Sequence, residues 1–365
     1  MASVMFSPLS LRGMTMPNRI TVAPMCQYSA TDGVPSDWHV VHLGQFAQSG
    51  AGLIFVEATG VSPQGRITPG CTGLYSDACE EGFARVLQVC RALGRMPIGM
   101  QLAHAGRKAS TTPPWEGGGL CTEGGWTVEA PSAVPYLESW ATPEALDEAG
   151  LARVRDDFVA AAGRAARLGF DTVQLHAAHG YLLHQFLSPL SNRRNDAYGG
   201  SLEGRMRFPL EVFEAVRAAF PEDRPVMVRI SASDWIEGGW DLEQSIEFCQ
   251  RLKALGCDMI DVSSGGLDQR QQIVTGPGYQ VHFAEAIRRE VGMPVMAVGQ
   301  ITEPLQAETI LRTGQADSVA LARGMLWDPR WPWHAAAALG EDLEIPAQYL
   351  RANPALRGKP FVTRR

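Results

Sequence analysis

An eightfold α/β barrel is the fold class that this sequence predicts, on three observations. Strand-like apolar runs alternate with helix-like amphipathic segments eight times along the chain. The length of 365 residues suits one such barrel with an insertion. The competing architecture, an open doubly wound sheet, is weakened because no Gly-x-Gly-x-x-Gly run follows a strand, and no P-loop is present.

The elements are expected in this order. Candidate strands cover 20–24, 53–56, 98–102, 171–175, 226–230, 259–262, 295–298 and 318–321. Amphipathic helices are expected near 39–49, 79–93, 144–168, 203–219, 241–255, 280–291, 303–313 and 331–339. One connection is too long for a plain unit. Residues 103–142 follow the third strand and are rich in Gly, Pro and Trp, as in Pro113-Pro114-Trp115-Glu116-Gly117-Gly118-Gly119. Loops of that length in compact domains are usually lids or binding loops. The chain is therefore read as a single domain over 1–365, with a lid-like insertion at about 103–142 and a C-terminal extension at about 341–365.

Composition narrows the function classes. Hydrophobic residues make up 45% of the chain, enough for a large core, and the net charge of −7 offers no basic surface to nucleic acid. No apolar run approaches a membrane span, and residues 1–19 lack the apolar stretch of a signal peptide. The seven cysteines form no Cys-x-x-Cys pair. A cytoplasmic protein with mostly buried free thiols is expected.

The chemistry concentrates at His176-Ala177-Ala178-His179-Gly180-Tyr181, after the run Phe170-Asp171-Thr172-Val173-Gln174-Leu175. In a parallel barrel a strand of that kind delivers its C-terminal residues to the active site. Two imidazoles can donate hydrogen bonds to a carbonyl oxygen. A phenol with an ordinary pKa of about 10 can donate a proton to a carbanion-like centre. Two other readings stay open: His176 and His179 as zinc ligands of a hydrolase, which would need a third ligand, and a purely structural pair.

Other strand ends carry matching parts. Ala23-Pro24-Met25-Cys26-Gln27-Tyr28 ends the first strand, Glu57-Ala58 the second and Gln101 the third, while Arg229 lies in the fifth. A glutamine amide can read a pyrimidine-like edge, and a permanent guanidinium suits partial negative charge on a ring. The last two strands run into Val298-Gly299-Gln300 and Ala322-Arg323-Gly324, where barrels commonly bind phosphate. Asn195-Asp196-Ala197-Tyr198-Gly199-Gly200-Ser201 reads as a tight turn ending in a helix N-cap. His39 and His42 read as packing and capping residues.

These residues, in this order, resemble the old yellow enzyme family of flavin-dependent ene-reductases. The likeness also includes Val56-Glu57-Ala58, Gln101-Leu102-Ala103-His104-Ala105-Gly106-Arg107-Lys108, Phe186-Leu187-Ser188-Pro189, residues 192–200 and Ala297-Val298-Gly299. Cys26 and Gln348-Tyr349-Leu350-Arg351 resemble its bacterial branch of NADPH dehydrogenases and xenobiotic reductases. The resemblance implies non-covalent FMN at the C-terminal mouth of the barrel, with NADPH as hydride donor. It implies flavin contacts from Ala23, Pro24, Met25, Cys26, Ala58, Gln101 and Arg229, and phosphate contacts from Gly299, Ala322 and Arg323. Tyr28, His176 and His179 would face an enone-type substrate, with Tyr181 as proton donor. A homodimer or a dimer-built tetramer is implied, with Arg351 reaching the neighbour's site. Two departures are visible. Residues 110–130 form a longer loop than is frequent in this branch, and Ala322-Arg323 stands where Gly-Arg is frequent.

Overall fold

Eight parallel strands close into a barrel in the computed structural model, which describes residues 2–353. The strands are β1 Ile20–Val22, β2 Leu53–Gly60, β3 Ile98–Ala103, β4 Thr172–Ala177, β5 Val226–Ser231, β6 Met259–Ser263, β7 Val295–Val298 and β8 Ser318–Leu321. Each pairs with its sequence neighbours, and β8 closes on β1. The barrel helices are α1 Asp37–Ala47, α2 Asp77–Leu93, α3 Glu148–Leu168, α4 Leu202–Ala219, α5 Leu242–Ala254, α6 Val281–Val291, α7 Pro304–Arg312 and α8 Trp331–Leu339. The expected eightfold barrel is what the chain forms. Five of its helices begin after a side-chain cap that accepts a backbone N–H: Ser36 from Trp38, Ser76 from Cys79, Asp147 from Gly150, Ser201 from Gly204 and Asp241 from Gln244. Ser201 is thus the N-cap expected of the 195–201 turn.

Side-chain alternation divides each strand between the helix layer and the barrel interior. Ile54, Val56, Met100, Leu102, Val173, Leu175, Val228 and Ile230 belong to the large core shared with the helices. Leu53, Phe55, Met227, Met259 and Met296 fill the interior at the N-terminal end. An N-terminal hairpin, Leu9–Leu11 with Met14–Met16, plugs that end by adding Leu11, Met14 and Met16 to the same cluster. This hairpin was not expected from the sequence. Further along β5 and β6 the same face carries Arg229 and Asp261, then Ser231 and Ser263. The interior is therefore apolar at the floor and polar toward the mouth.

Several boundaries differ from expectation. β1 ends at Val22, not at Pro24, since proline has no N–H for the ladder. β2 runs on past Glu57-Ala58 to Gly60. A bulge between Val56 and Ala58 lets Glu57 leave the ladder. The bulge also shifts the alternation, so Ala58 pairs with Gln101. α3 begins at Glu148, and Glu144–Ala145 instead pairs with Glu129–Ala130 in the long loop after β3. A short helix, Leu182–Leu187, follows directly on Tyr181. No helix among the described residues is long and apolar enough to cross a membrane.

Candidate active site

The C-terminal mouth is floored by a chain of buried polar side chains. Gln101 Nε2 donates to Gln174 Oε1 at 2.7 Å, and Gln174 Nε2 donates to Asp261 Oδ2 at 3.2 Å. Arg229 Nε lies 3.3 Å from the same oxygen. Burial pushes the Asp261 carboxyl up, against the pull of Arg229 and Gln174. Sequence reasoning found Gln101 and Arg229 but missed Gln174 and Asp261. Their only signal was a polar residue inside an apolar strand, and the closed barrel is what brings their faces together.

Above this layer the β4 motif comes together as expected. The His176 and His179 rings meet edge to face with centroids 5.1 Å apart, and the Tyr181 ring meets His176 at 4.9 Å. His179 has φ +57° and Gly180 φ +74°, so the chain turns sharply out of the strand there. At Gly180 a Cβ would lie 2.3 Å from the Gly266 carbonyl oxygen, which requires glycine. The turn is braced from beneath. Gly180 N–H donates to His184 Nδ1, and Gln185 Nε2 donates to the Gly180 and Ala105 carbonyls. His184 lies 2.9 Å from Asp234, with both side chains fully buried.

Electrostatics fixes the protonation of the three groups. Burial, reinforced by the nearby Arg229 charge, holds His176 and His179 well below the usual imidazole range. Both are neutral near pH 7, each with one N–H to donate. His179 Nε2 lies 2.7 Å from Ser263 Oγ, its Nδ1 lies 3.4 Å from His176 Nε2, and His176 Nδ1 is buried without a partner. Burial raises the Tyr181 phenol well above its ordinary value, so it stays protonated.

The loop after β1 borders the same mouth. Cys26 shares a hydrogen bond with Cys71, and that bond together with burial raises its pKa, keeping it a thiol. All seven cysteines are free, and five of them are buried, as expected. Tyr28 has φ +52° and packs edge-on against Trp115 of the long loop at 5.4 Å. Glu57, released by the bulge, accepts from Gln27 N–H and lies 3.0 Å from His39 Nε2. His39 Nδ1 in turn accepts the Ser36 N–H in a capping box, and His42 packs on Phe46. Both histidines of α1 are thus structural.

Across the mouth, Gly299 has φ +127°, and a Cβ there would sit 2.9 Å from Gln280 Nε2. Arg323 is exposed at the start of the short helix Arg323–Trp327 after β8. Arg351 is exposed in a short 3₁₀ helix, Ala347–Ala352, whose Tyr349 packs on Trp333. The long loop brings Tyr136, Leu137 and Trp140 over Lys108 and Tyr181, bounding a cavity of about 380 Å³.

The mouth fits a flavin. Arg229 and Gln101 offer donors to a ring edge rich in acceptors; the buried His176 Nδ1 lacks a hydrogen-bond partner within the protein, and Arg229 Nε has only its 3.3 Å ion-pair contact with Asp261, without hydrogen-bond geometry. Among the described residues no group of three or more His, Cys, Asp or Glu side chains is placed to hold a metal ion.

Comparisons with known proteins agree with this arrangement. The model of the NADH:flavin oxidoreductase / NADH oxidase family matches residues 4–342. An NADPH dehydrogenase of Geobacillus thermodenitrificans is 45% identical over 353 residues, covering 96% of this chain and 99% of the relative. One from Bacillus subtilis is 43% identical over 353 residues, with the same coverage. Among solved structures, morphinone reductase in complex with tetrahydroNAD superposes with TM-score 0.75 at 31% identity, covering 94% of this chain and 93% of that one. An old yellow enzyme homologue from Zymomonas mobilis gives TM-score 0.75 at 29% identity, covering 93% and 94%. These findings leave the metal-hydrolase reading without support.

Proposed function

Since the chain belongs to the NADH:flavin oxidoreductase / NADH oxidase family, as an old yellow enzyme-type oxidoreductase using FMN and NAD(P)H, we propose that it reduces the C=C bond of α,β-unsaturated carbonyl compounds. Nitro compounds and other xenobiotics fall within the same reading. The observation that carries it is the packing of His176, His179 and Tyr181 against one another above the Gln101–Gln174–Asp261–Arg229 layer.

Bound FMN supplies hydride chemistry that no side chain can. Arg229 and Gln101 would hold its ring edge, with Ala23, Pro24, Met25, Cys26 and Ala58 around the ring. Gly299, Ala322 and Arg323 would take its phosphate. The protein's own work is orientation and charge. Neutral His176 and His179 donate to the substrate carbonyl oxygen and stabilise the negative charge that gathers there during reduction. For His179 this means exchanging its Ser263 or His176 contact for the substrate. Tyr181, kept protonated by burial, delivers its proton to the α-carbon. Tyr28 borders the substrate, and the loop over the mouth excludes water.

Anaerobic turnover of a cyclic enone with NADPH in D₂O tests this reading. The expected product is the saturated ketone with solvent deuterium at the α-carbon. Consumption of NADPH with the alkene recovered unchanged would contradict it.

A further inference from the structure

Lys108 occupies a place that the reaction described above does not use. It lies in the short 3₁₀ turn Gly106–Lys108 after β3 and is half-buried. Its ammonium donates at 2.9 Å to the His179 carbonyl and at 2.9 Å to the Gly266 carbonyl. It thereby ties the turn after β4 to the loop after β6. The same nitrogen lies 5.3 Å from the centroid of the Tyr181 ring and 4.7 Å from that of Tyr136. Among the described residues no carboxylate forms an ion pair with it. The charge is balanced by two carbonyl dipoles and two ring faces.

A simple strut between two loops would not need a charge, and a charge so placed is costly without a role. Tyr181 supplies one. As a general acid it begins neutral and ends as a phenolate in a buried site. A cation against its ring is worth little before the proton leaves and more afterwards, the condition for favouring the transition state over the ground state. Resting on the reading of Tyr181 as proton donor, we propose that Lys108 is a positioning residue for the protonation step. It locks the turn that carries Tyr181 and sets a positive charge against the ring that becomes negative.

The surroundings make that charge sensitive to pH. Burial, followed by the neighbouring Arg107, lowers Lys108 to about 8. Tyr136 faces it from the long loop, and Tyr181, His176 and His179 from β4 and its turn. Both histidines are neutral in this range, and Tyr181 remains protonated. Arg229 acts on the same histidines, and Cys26, Tyr28 and Cys71 act on the phenol. Asp268 acts through Arg107.

Stopped-flow measurement of both half-reactions in flavin-loaded Lys108→Met, Lys108→Arg and Tyr181→Phe tests the proposal, together with NMR titration of the Lys108 ¹³Cε resonance. In Lys108→Met the alkene step should slow about tenfold, while reduction by NADPH stays within about twofold. In the wild type the alkene step should fall as pH rises through about 8, with the same midpoint as the Lys108 resonance. That alkaline limb should vanish in Lys108→Met, and Lys108→Arg should restore the rate. An alkene step at full rate in Lys108→Met, equal slowing of both half-reactions, or a limb absent from the wild type overturns the proposal. So does a limb that survives in Lys108→Met or misses the NMR midpoint. Tyr181→Phe without effect on the alkene step removes the proton-donor reading as well. A slow Tyr181→Phe beside a normal Lys108→Met overturns this proposal alone.

Discussion

Tyr181 and His176 illustrate how one environment sets two opposite tasks. Burial disfavours charge on both, so the phenol keeps its proton and the imidazole does not gain one. The result is a neutral acid beside a neutral donor, which suits an anionic oxygen that must be stabilised without being protonated. Tyr181→Phe should leave flavin reduction by NADPH within a few-fold and slow enone reduction by roughly 10²–10⁴-fold, the usual size of a general-acid contribution. Equal slowing of the two half-reactions in stopped flow would make Tyr181 structural. Replacing His176 or His179 by Ala, which removes the donor, should weaken phenolate ligands, whose oxygen mimics the enolate, by about 1–3 kcal/mol. Calorimetric titration showing unchanged affinity in both variants would defeat the carbonyl clamp. At this scale the sequence was legible where residues are adjacent, as in 176–181. Gln174 and Asp261 escaped because only the closed barrel shows that their faces meet.

The barrel strands were legible because runs such as Val226–Ser231 are buried along their whole length. The misses were short or irregular. The N-terminal hairpin has three-residue strands joined at Arg12-Gly13, with Arg12 at φ +48°, which no sequence pattern marks as a turn. The β2 bulge was hidden because Val-Glu-Ala reads equally well as a strand end. Helix α1 supports a test of stability against pH. His42 is buried on its inner face, and burial followed by His39 lowers it from 6.5 to about 4. The unfolded chain therefore binds this proton more readily than the folded one between those values. Stability contributed by neutral His42 is complete above about pH 6.5 and is lost as pH falls toward about 4. His42→Gln should flatten the fall in unfolding free energy over that window by up to about 3 kcal/mol. Urea titrations giving the same pH slope in both proteins would show that His42 is not responsible.

For the molecule as a whole, one end of the barrel is closed by apolar side chains and the other opens onto polar ones, so a single mouth must serve both the nicotinamide donor and the substrate. We propose that a second copy contributes Arg351, which is exposed beyond α8. Mixing Arg351→Ala chains with Tyr181→Phe chains should then recover activity, because half of the sites in a mixed dimer carry both residues. No recovery in a preparation shown to exchange subunits would place Arg351 outside the neighbour's site. The central claim is that this mouth holds FMN and passes reducing equivalents from NADPH to an alkene. Its most direct test is the visible spectrum of the purified protein followed anaerobically through two additions. The account predicts one FMN per chain, released intact by acid or heat, bleached by NADPH and restored by one equivalent of a cyclic enone with formation of the saturated ketone. Flavin that stays with the denatured chain, or flavin bleached by NADPH that no activated alkene reoxidises, would contradict it.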